Sequence, residues 1–227
     1  MRQLPLGMRL QDRAVFASFL AGGNALAVAA AEQLVAARGD SLLYLHGSAG
    51  TGKSHLLQAI CTAVPAAAYF PLAQLLEFGP GVLEAAAQLP AIAVDDLDAV
   101  AGDPHWEQQL FGLYNDCLAS GTRLAVSALV PAAYLGVSLP DLRSRLSAMP
   151  QFALRPLDEA QQREALKLRA AQRGIELPEE TLLYLQRRFA RDIGKLHALL
   201  DRLDLASLQE QRRLTVPFIR AVLGEPP

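Results

Sequence analysis

Two rhythms of apolar residues alternate along the first part of the chain, and glycine or proline marks most of the changes between them. Leu42-Leu43-Tyr44-Leu45 is a short apolar run leading into glycines, which predicts a buried strand and then a turn. From Lys53 the apolar positions Leu56, Leu57 and Ile60 fall at helical spacing. Ala67–Phe70 is a weaker strand candidate, and Pro80–Leu89 reads as a helix with proline in its first turn. Ala91-Ile92-Ala93-Val94 is uninterrupted and ends in Asp95-Asp96, the pattern of a central parallel strand with acids at its carboxyl end. Asp103-Pro104 opens a helix that closes at Gly121, and Arg123–Ser127 forms a further strand. Earlier, Asn24 is expected to cap a helix over Ala25–Ala37, with Gly39 as its stop. Strands alternating with helices predict an α/β fold with a doubly wound parallel sheet, which binds ligands beyond the carboxyl ends of its strands.

After about Arg155 the strand rhythm disappears. Asp158-Glu159-Ala160-Gln161 has capping-box spacing and starts a helix that stops at Gly174. Pro178, Asp192 and Thr215 start three more helical segments. The expected organisation is an extended tail at 1–13, an α/β unit at 14–155 and an all-helical unit at 156–227.

Composition narrows the class. The chain has 227 residues, 52% of them hydrophobic, and a formal net charge of −2. That balance supplies no overall field for nucleic acid or anionic lipid, so sequence-specific DNA binding is not expected. Cys61 and Cys117 lie far apart with no metal-binding spacing, which points to buried thiols in a reducing compartment. The first residues lack a signal-peptide core and no apolar run reaches the ~18 residues of a membrane span. The expected location is the cytoplasm, away from membranes.

Gly47-Ser48-Ala49-Gly50-Thr51-Gly52-Lys53-Ser54 lies between a predicted strand and a predicted helix, the context in which this spacing forms a phosphate cradle. The glycines allow backbone N–H groups to turn inward, and the helix start adds its positive end. Lys53 is expected to reach the β- and γ-phosphates, and Ser54 to offer its hydroxyl to Mg²⁺. Asp95 falls where an acid must stand to hold magnesium beside such a loop, and Asp96 where it can orient a water. Ser127 ends the next strand, where its hydroxyl could face the γ-phosphate or satisfy its own backbone. His46 and His55 flank the loop and read as structural. Phe16, Phe19 and Tyr44 are candidates for packing near a base, with core packing as the default. Arg187, Arg188, Arg191, Arg212 and Arg213 read as solvated helix faces.

The order of these motifs is specific. A P-loop, a strand ending in Asp95-Asp96, a strand ending in Ser127, then Leu139-Pro140-Asp141-Leu142-Arg143-Ser144-Arg145-Leu146 and a helical lid together resemble the DnaA-type AAA+ family of replication initiators. Phe16-Ala17-Ser18-Phe19 followed by Gly22-Gly23-Asn24 resembles that family's border of the adenine pocket. The likeness runs from Gln3 to Leu223, without the helix-turn-helix domain of the initiators, and is similar in layout to the short DnaA homologues that inactivate the initiator. Gln3, Leu4 and Leu6 resemble the motif by which such proteins bind the sliding clamp.

The resemblance implies an AAA+ core with a helical lid, an adenine nucleotide in the loop lined by Gly47, Ala49, Gly50, Thr51, Gly52, Lys53, Ser54 and His55, and Mg²⁺ held by Ser54 and Asp95. It implies Arg145 as an arginine finger acting on ATP bound by the initiator DnaA, with the sliding clamp as second partner. Two positions depart from the family: Gly194, followed by Lys195, stands where the lid carries its sensing arginine, and Ala128 follows Ser127 in place of an aspartate. Both imply weak or no intrinsic hydrolysis and ADP in preference to ATP as the resting ligand. A self-assembling ATPase of the helicase-loader kind is the alternative, and a homo-oligomer stays open.

Overall fold

The computed structural model describes residues 14–171, 177–189 and 216–223. The tail bearing Gln3, Leu4 and Leu6, the Gly174 stop, the Asp192 and Thr215 starts, and Gly194 and Lys195 lie outside the described residues. The chain divides into two compact units, Met1–Arg155 and Pro156–Pro227.

The first unit is built on five parallel strands: β1 (Leu42–His46), β2 (Ala68–Pro71), β3 (Ala91–Asp95), β4 (Arg123–Ala128) and β5 (Gln151–Ala153). Their order in the sheet is β2-β3-β4-β1-β5. Every residue of β3 is buried, as its unbroken apolar sequence requires of a strand covered on both faces. β5 had no apolar run to announce it. It is three residues long and joins the sheet edge by pairing with β1 through Tyr44↔Gln151 and His46↔Ala153.

Two-residue alternation sorts the strand side chains between two apolar layers. Leu43, Leu45, Ala93 and Ala125 face α1 (Ala25–Val35) and α2 (Lys53–Ala63), meeting Leu34, Leu56, Leu57 and Ile60. Tyr44, Ile92, Val94, Leu124 and Val126 enter the other layer, with Trp106, Leu110 and Leu113 of α4 (Pro104–Ser120) and Leu142 and Leu146 of α5 (Pro140–Ala148). Tyr44 is thereby a core residue, fully buried, its hydroxyl donating to the Val130 carbonyl at 3.0 Å.

α4 begins and ends as its sequence predicts. The Asp103 carboxylate accepts the N–H groups of His105 and Trp106, and Gly121 closes the helix at φ +73°. Two expectations need correction. Asn24 stands before α1 but does not cap it; its side chain bridges the backbone N–H and carbonyl of Arg155 at 2.7 and 3.0 Å. A side chain with both donor and acceptor satisfies two groups there, where a cap would satisfy one. The helix itself stops at Val35, with Ala37 in the left-handed region.

Residues 80–89 do not form a helix. They make two short 3₁₀ turns, Pro80–Leu83 and Ala86–Gln88, separated by Ala85 at φ +59°. Both turns lie against α4 and bury Val82, Leu83 and Ala86 in its layer. Tertiary burial overrides the local helical preference. Before them, α3 (Leu72–Leu75) is a single turn following β2.

In the second unit, α6 (Glu159–Ala171), α7 (Glu179–Phe189) and α8 (Val216–Leu223) bury Leu166, Leu182, Leu185 and Ile219. The capping box forms as its spacing requires. Asp158 accepts the Gln161 N–H at 2.8 Å while the Gln161 side chain accepts the Asp158 N–H at 3.1 Å. No helix among the described residues is long and apolar enough to cross a membrane.

Candidate nucleotide site

The loop between β1 and α2 turns on glycines. Gly47, Gly50 and Gly52 have φ of +153°, +79° and +97°. A side chain at Gly47 would collide with the Leu154 carbonyl, and one at Gly52 would stand 2.6 Å from the Phe19 ring. The cradle therefore excludes any Cβ at both positions. Thr51 closes the turn, its hydroxyl donating to the Ser48 carbonyl at 2.9 Å. Ala49 and Ser54 are exposed at the rim of the loop and in the first turn of α2.

Lys53 is only 6% exposed, and its ammonium lies against the carbonyls of Gly47 and Ser48 at 2.7 and 3.1 Å. Burial lowers its pKa, while Asp95, Asp96 and Asp98 act in the opposite direction. The amine thus sits at the mouth of the loop, with three carboxylates close enough to favour its charged form.

Asp95 ends β3 and is 1% exposed. Its carboxylate is held from both neighbouring strands. Tyr69 of β2 donates to Oδ2 at 2.6 Å, and Ser127 of β4 donates to Oδ1, which also accepts the Asp96 N–H at 3.1 Å. Ser127, fully buried, thus bonds a side chain and not its own backbone. Asp96 follows at φ +59° and ψ +50°, a conformation that aspartate tolerates better than most residues. Its carboxyl is pushed up to about 6 by burial, then by the charges of Asp95 and Asp98, with Lys53 pulling the other way.

Phe16, Ser18 and Phe19 come from the segment before α1. The His55 ring meets the Ser18 hydroxyl and the Val15 carbonyl, each at 3.0 Å, and stands edge-on to Phe19 at 5.4 Å between ring centres. His55 therefore ties that segment to the P-loop helix, a link its sequence position does not reveal. His46, the last residue of β1, has a pKa lowered first by burial and then by Lys53.

These residues fit a nucleoside phosphate. A loop with no room for side chains, a helix start and a buried lysine ammonium suit phosphate oxygens. The hydroxyl of Ser54 and the carboxylate of Asp95 are hard oxygen donors of the kind magnesium takes. Arg145 is not part of this cluster. It lies exposed on α5, its guanidinium 5.8 Å from the Tyr114 ring centre, and α5 packs on the sheet face opposite α2.

Three residues went unmarked in the sequence. Tyr69 lies two positions before the end of an edge strand, and only the register with β3 brings it to Asp95. Burial and then Asp95 raise the pKa of the Tyr69 phenol, and Gln58 of α2 pulls it the other way. Glu107 is 1% exposed and accepts the N–H groups of Gly102, Ser138 and Leu139 at 2.7, 2.9 and 2.7 Å, gripping the start of α5.

Comparison with known proteins gives the same architecture. Residues 158–223 match the family model described as Hda, lid domain, and residues 10–70 match the bacterial DnaA ATPase domain. Domain III of the Thermotoga maritima replication initiation protein DnaA superposes with a TM-score of 0.76 at 21% identity, over 95% of this chain and 98% of that one. AMPPCP-bound DnaA from Aquifex aeolicus superposes at 0.63 and 20% identity, over 89% of this chain and 70% of that one. DnaI superposes at 0.54 and 19% identity, over 63% of this chain and 92% of that one. Identities this low carry the fold alone. The two family models, one on each unit, support an Hda/DnaA-type AAA+ protein.

Proposed function

We propose that this protein is an Hda-like regulator that binds adenine nucleotide in its P-loop, docks on the sliding clamp and stimulates ATP hydrolysis by the initiator DnaA. The observation that carries this reading is the separation of Arg145 from the chain's own P-loop helix. Arg145 is exposed on a helix that packs on the opposite sheet face. A cation so placed suits a γ-phosphate held by a neighbour. An arginine supplied in trans speeds phosphoryl transfer by about 10³–10⁵-fold in well-characterised cases.

In this reading the chain's own site is a structural one. The loop amides and Lys53 hold the phosphates, with ADP as the resting ligand, and Phe16 and Phe19 border the base. Magnesium, held by Ser54 and Asp95, would neutralise phosphate charge. Asp96 and Ser127 complete the polar end of the sheet. The related DnaA bound to AMPPCP supports an adenine nucleotide in this fold. The lid match to Hda supports the regulatory class over a self-assembling ATPase. Gln3, Leu4 and Leu6 supply the clamp contact, and the cytoplasm is the setting such partners require.

The test is a reconstituted reaction with ATP-loaded DnaA and DNA-loaded clamp, following conversion of the initiator's ATP to ADP. Arg145→Ala is expected to keep nucleotide binding and lose stimulation. Gln3→Ala with Leu4→Ala is expected to lose clamp capture. Full stimulation by the Arg145 variant would overturn the trans mechanism, and rapid ATP turnover by the chain alone would favour the helicase-loader alternative.

A further inference from the structure

Asp95 is gripped in a way that the chemistry above does not by itself require. β2 and β3 run parallel with Tyr69 opposite Ala93 and Pro71 opposite Asp95. Alternation along the strands sends the side chains of Tyr69 and Asp95 to one face, the face covered by α2. Only on that face can the phenol reach the carboxylate two positions further along. On the opposite side β4 supplies Ser127 to the other oxygen.

An ionised carboxylate has about four lone-pair sites. Tyr69 Oη, Ser127 Oγ and the Asp96 N–H take up three of them, on an acid that is 1% exposed. About one site is left. Rotation about the last bond of an aspartate is soft, so hydrogen bonds and not torsional preference set the plane of the carboxylate. The Tyr69 bond holds one oxygen and the Ser127 bond holds the other.

We propose that Tyr69 is a positioning residue for Asp95: its hydroxyl fixes the carboxylate plane so that the remaining lone pair addresses the hydrated cation that accompanies a bound nucleotide. The inference rests on the nucleotide-binding reading above. Residues that orient a metal-binding group through hydrogen bonds typically change metal affinity by about 10–100-fold when removed. The low end applies here, because Ser127 still holds one oxygen.

The test titrates a fluorescent ADP analogue into the full chain, with EDTA and then with Mg²⁺, for the parent and for Tyr69→Phe. Phenylalanine keeps the ring and removes only the hydroxyl. The parent is expected to bind more tightly with Mg²⁺. Tyr69→Phe is expected to match the parent in EDTA to within about twofold and to lose about tenfold of the magnesium enhancement. Tyr69→Leu, which also removes the hydroxyl, is expected to lose as much of the enhancement, and it carries the test if Tyr69→Phe does not fold.

An undiminished magnesium enhancement in these variants overturns the proposal. So does an equal loss in EDTA and in Mg²⁺, which is the signature of a purely structural side chain, and so does a parent whose affinity ignores Mg²⁺. A parent that binds no adenine nucleotide at all sinks the nucleotide reading itself, and with it this inference.

Discussion

Replacing Glu107 by glutamine changes the chain's shape hardly at all and should destabilise the α/β unit appreciably. Glu107 Oε1 accepts the N–H groups of Gly102 and Ser138, and Oε2 accepts that of Leu139. All three partners donate, so the site needs an acceptor at both ends. Glutamine offers one oxygen and one NH₂. The oxygen can keep the Gly102 and Ser138 bonds, but the NH₂ then meets the Leu139 N–H, donor against donor. Losing a charge-assisted bond costs about 1.5–3 kcal/mol, and leaving a buried donor unpaired costs about 1–3 kcal/mol. Against that, a neutral group is easier to bury than an ion, and a carboxylate among neutral amides carries a desolvation penalty of several kcal/mol. The net expectation is a destabilisation of about 2–3 kcal/mol, roughly a 5–10 °C fall in melting temperature for a unit of this size.

The assay is built into the chain. Trp106, beside Glu107 and 4% exposed, is the only tryptophan, so its fluorescence in a urea titration follows the α/β unit without interference from the helical one. Glu107→Ala, which abandons all three amides, should fall below Glu107→Gln. If Glu107→Gln matches the parent within about 0.5 kcal/mol, or Glu107→Ala is the more stable of the two, desolvation outweighs hydrogen bonding here and the reasoning is wrong. Because Ser138 and Leu139 lead into α5, the same variant should also loosen the helix that carries Arg145.

Gly52→Ala places a methyl group against the Phe19 ring at a backbone φ of +97°, and should abolish nucleotide binding in a fluorescence titration while the fold persists. Asp158→Ala removes one arm of the capping box and should cost the helical unit about 1 kcal/mol in a far-ultraviolet melt, leaving Trp106 fluorescence unaltered. His46 has a folded pKa below its ordinary 6.5, so the unfolded chain binds more protons in that interval. Its contribution is then intact above pH 6.5 and is lost as pH falls through the lowered folded value, so His46→Gln should flatten the parent's loss of stability as the pH falls below 6.5. An identical slope in that variant would show that another group titrates there.

Local chemistry was readable wherever one short segment does the work by itself. The P-loop needs its glycines whatever surrounds it, the Asp103-Pro104 start and Gly121 end of α4 are set by their own backbone, and the capping box at Asp158 satisfies its own helix. What failed were positions where a distant partner decides. Residues 80–89 have the composition of a helix, yet the layer under α4 takes Val82, Leu83 and Ala86 in two tight turns. Asn24 looks like a cap, yet Arg155, at the far end of the unit, claims both ends of its amide. β5 carries no signal of its own, because a three-residue edge strand is defined by the β1 backbone it pairs with.

The same division runs through the site. Lys53 and Asp95 announce themselves by motif; Lys53 is held by carbonyls of its own loop, while the side chains that hold Asp95 come from elsewhere in the fold. Tyr69 reaches Asp95 because β2 is the neighbour of β3, and Ser127 because β4 is the other neighbour. With β2 elsewhere in the sheet, the same sequence would leave Asp95 held on one side. Strand order therefore does chemical work here: by choosing the two neighbours of β3 it chooses the two hydroxyls that orient its acid. That is why the acid could be read from the sequence and the hydroxyls that hold it could not.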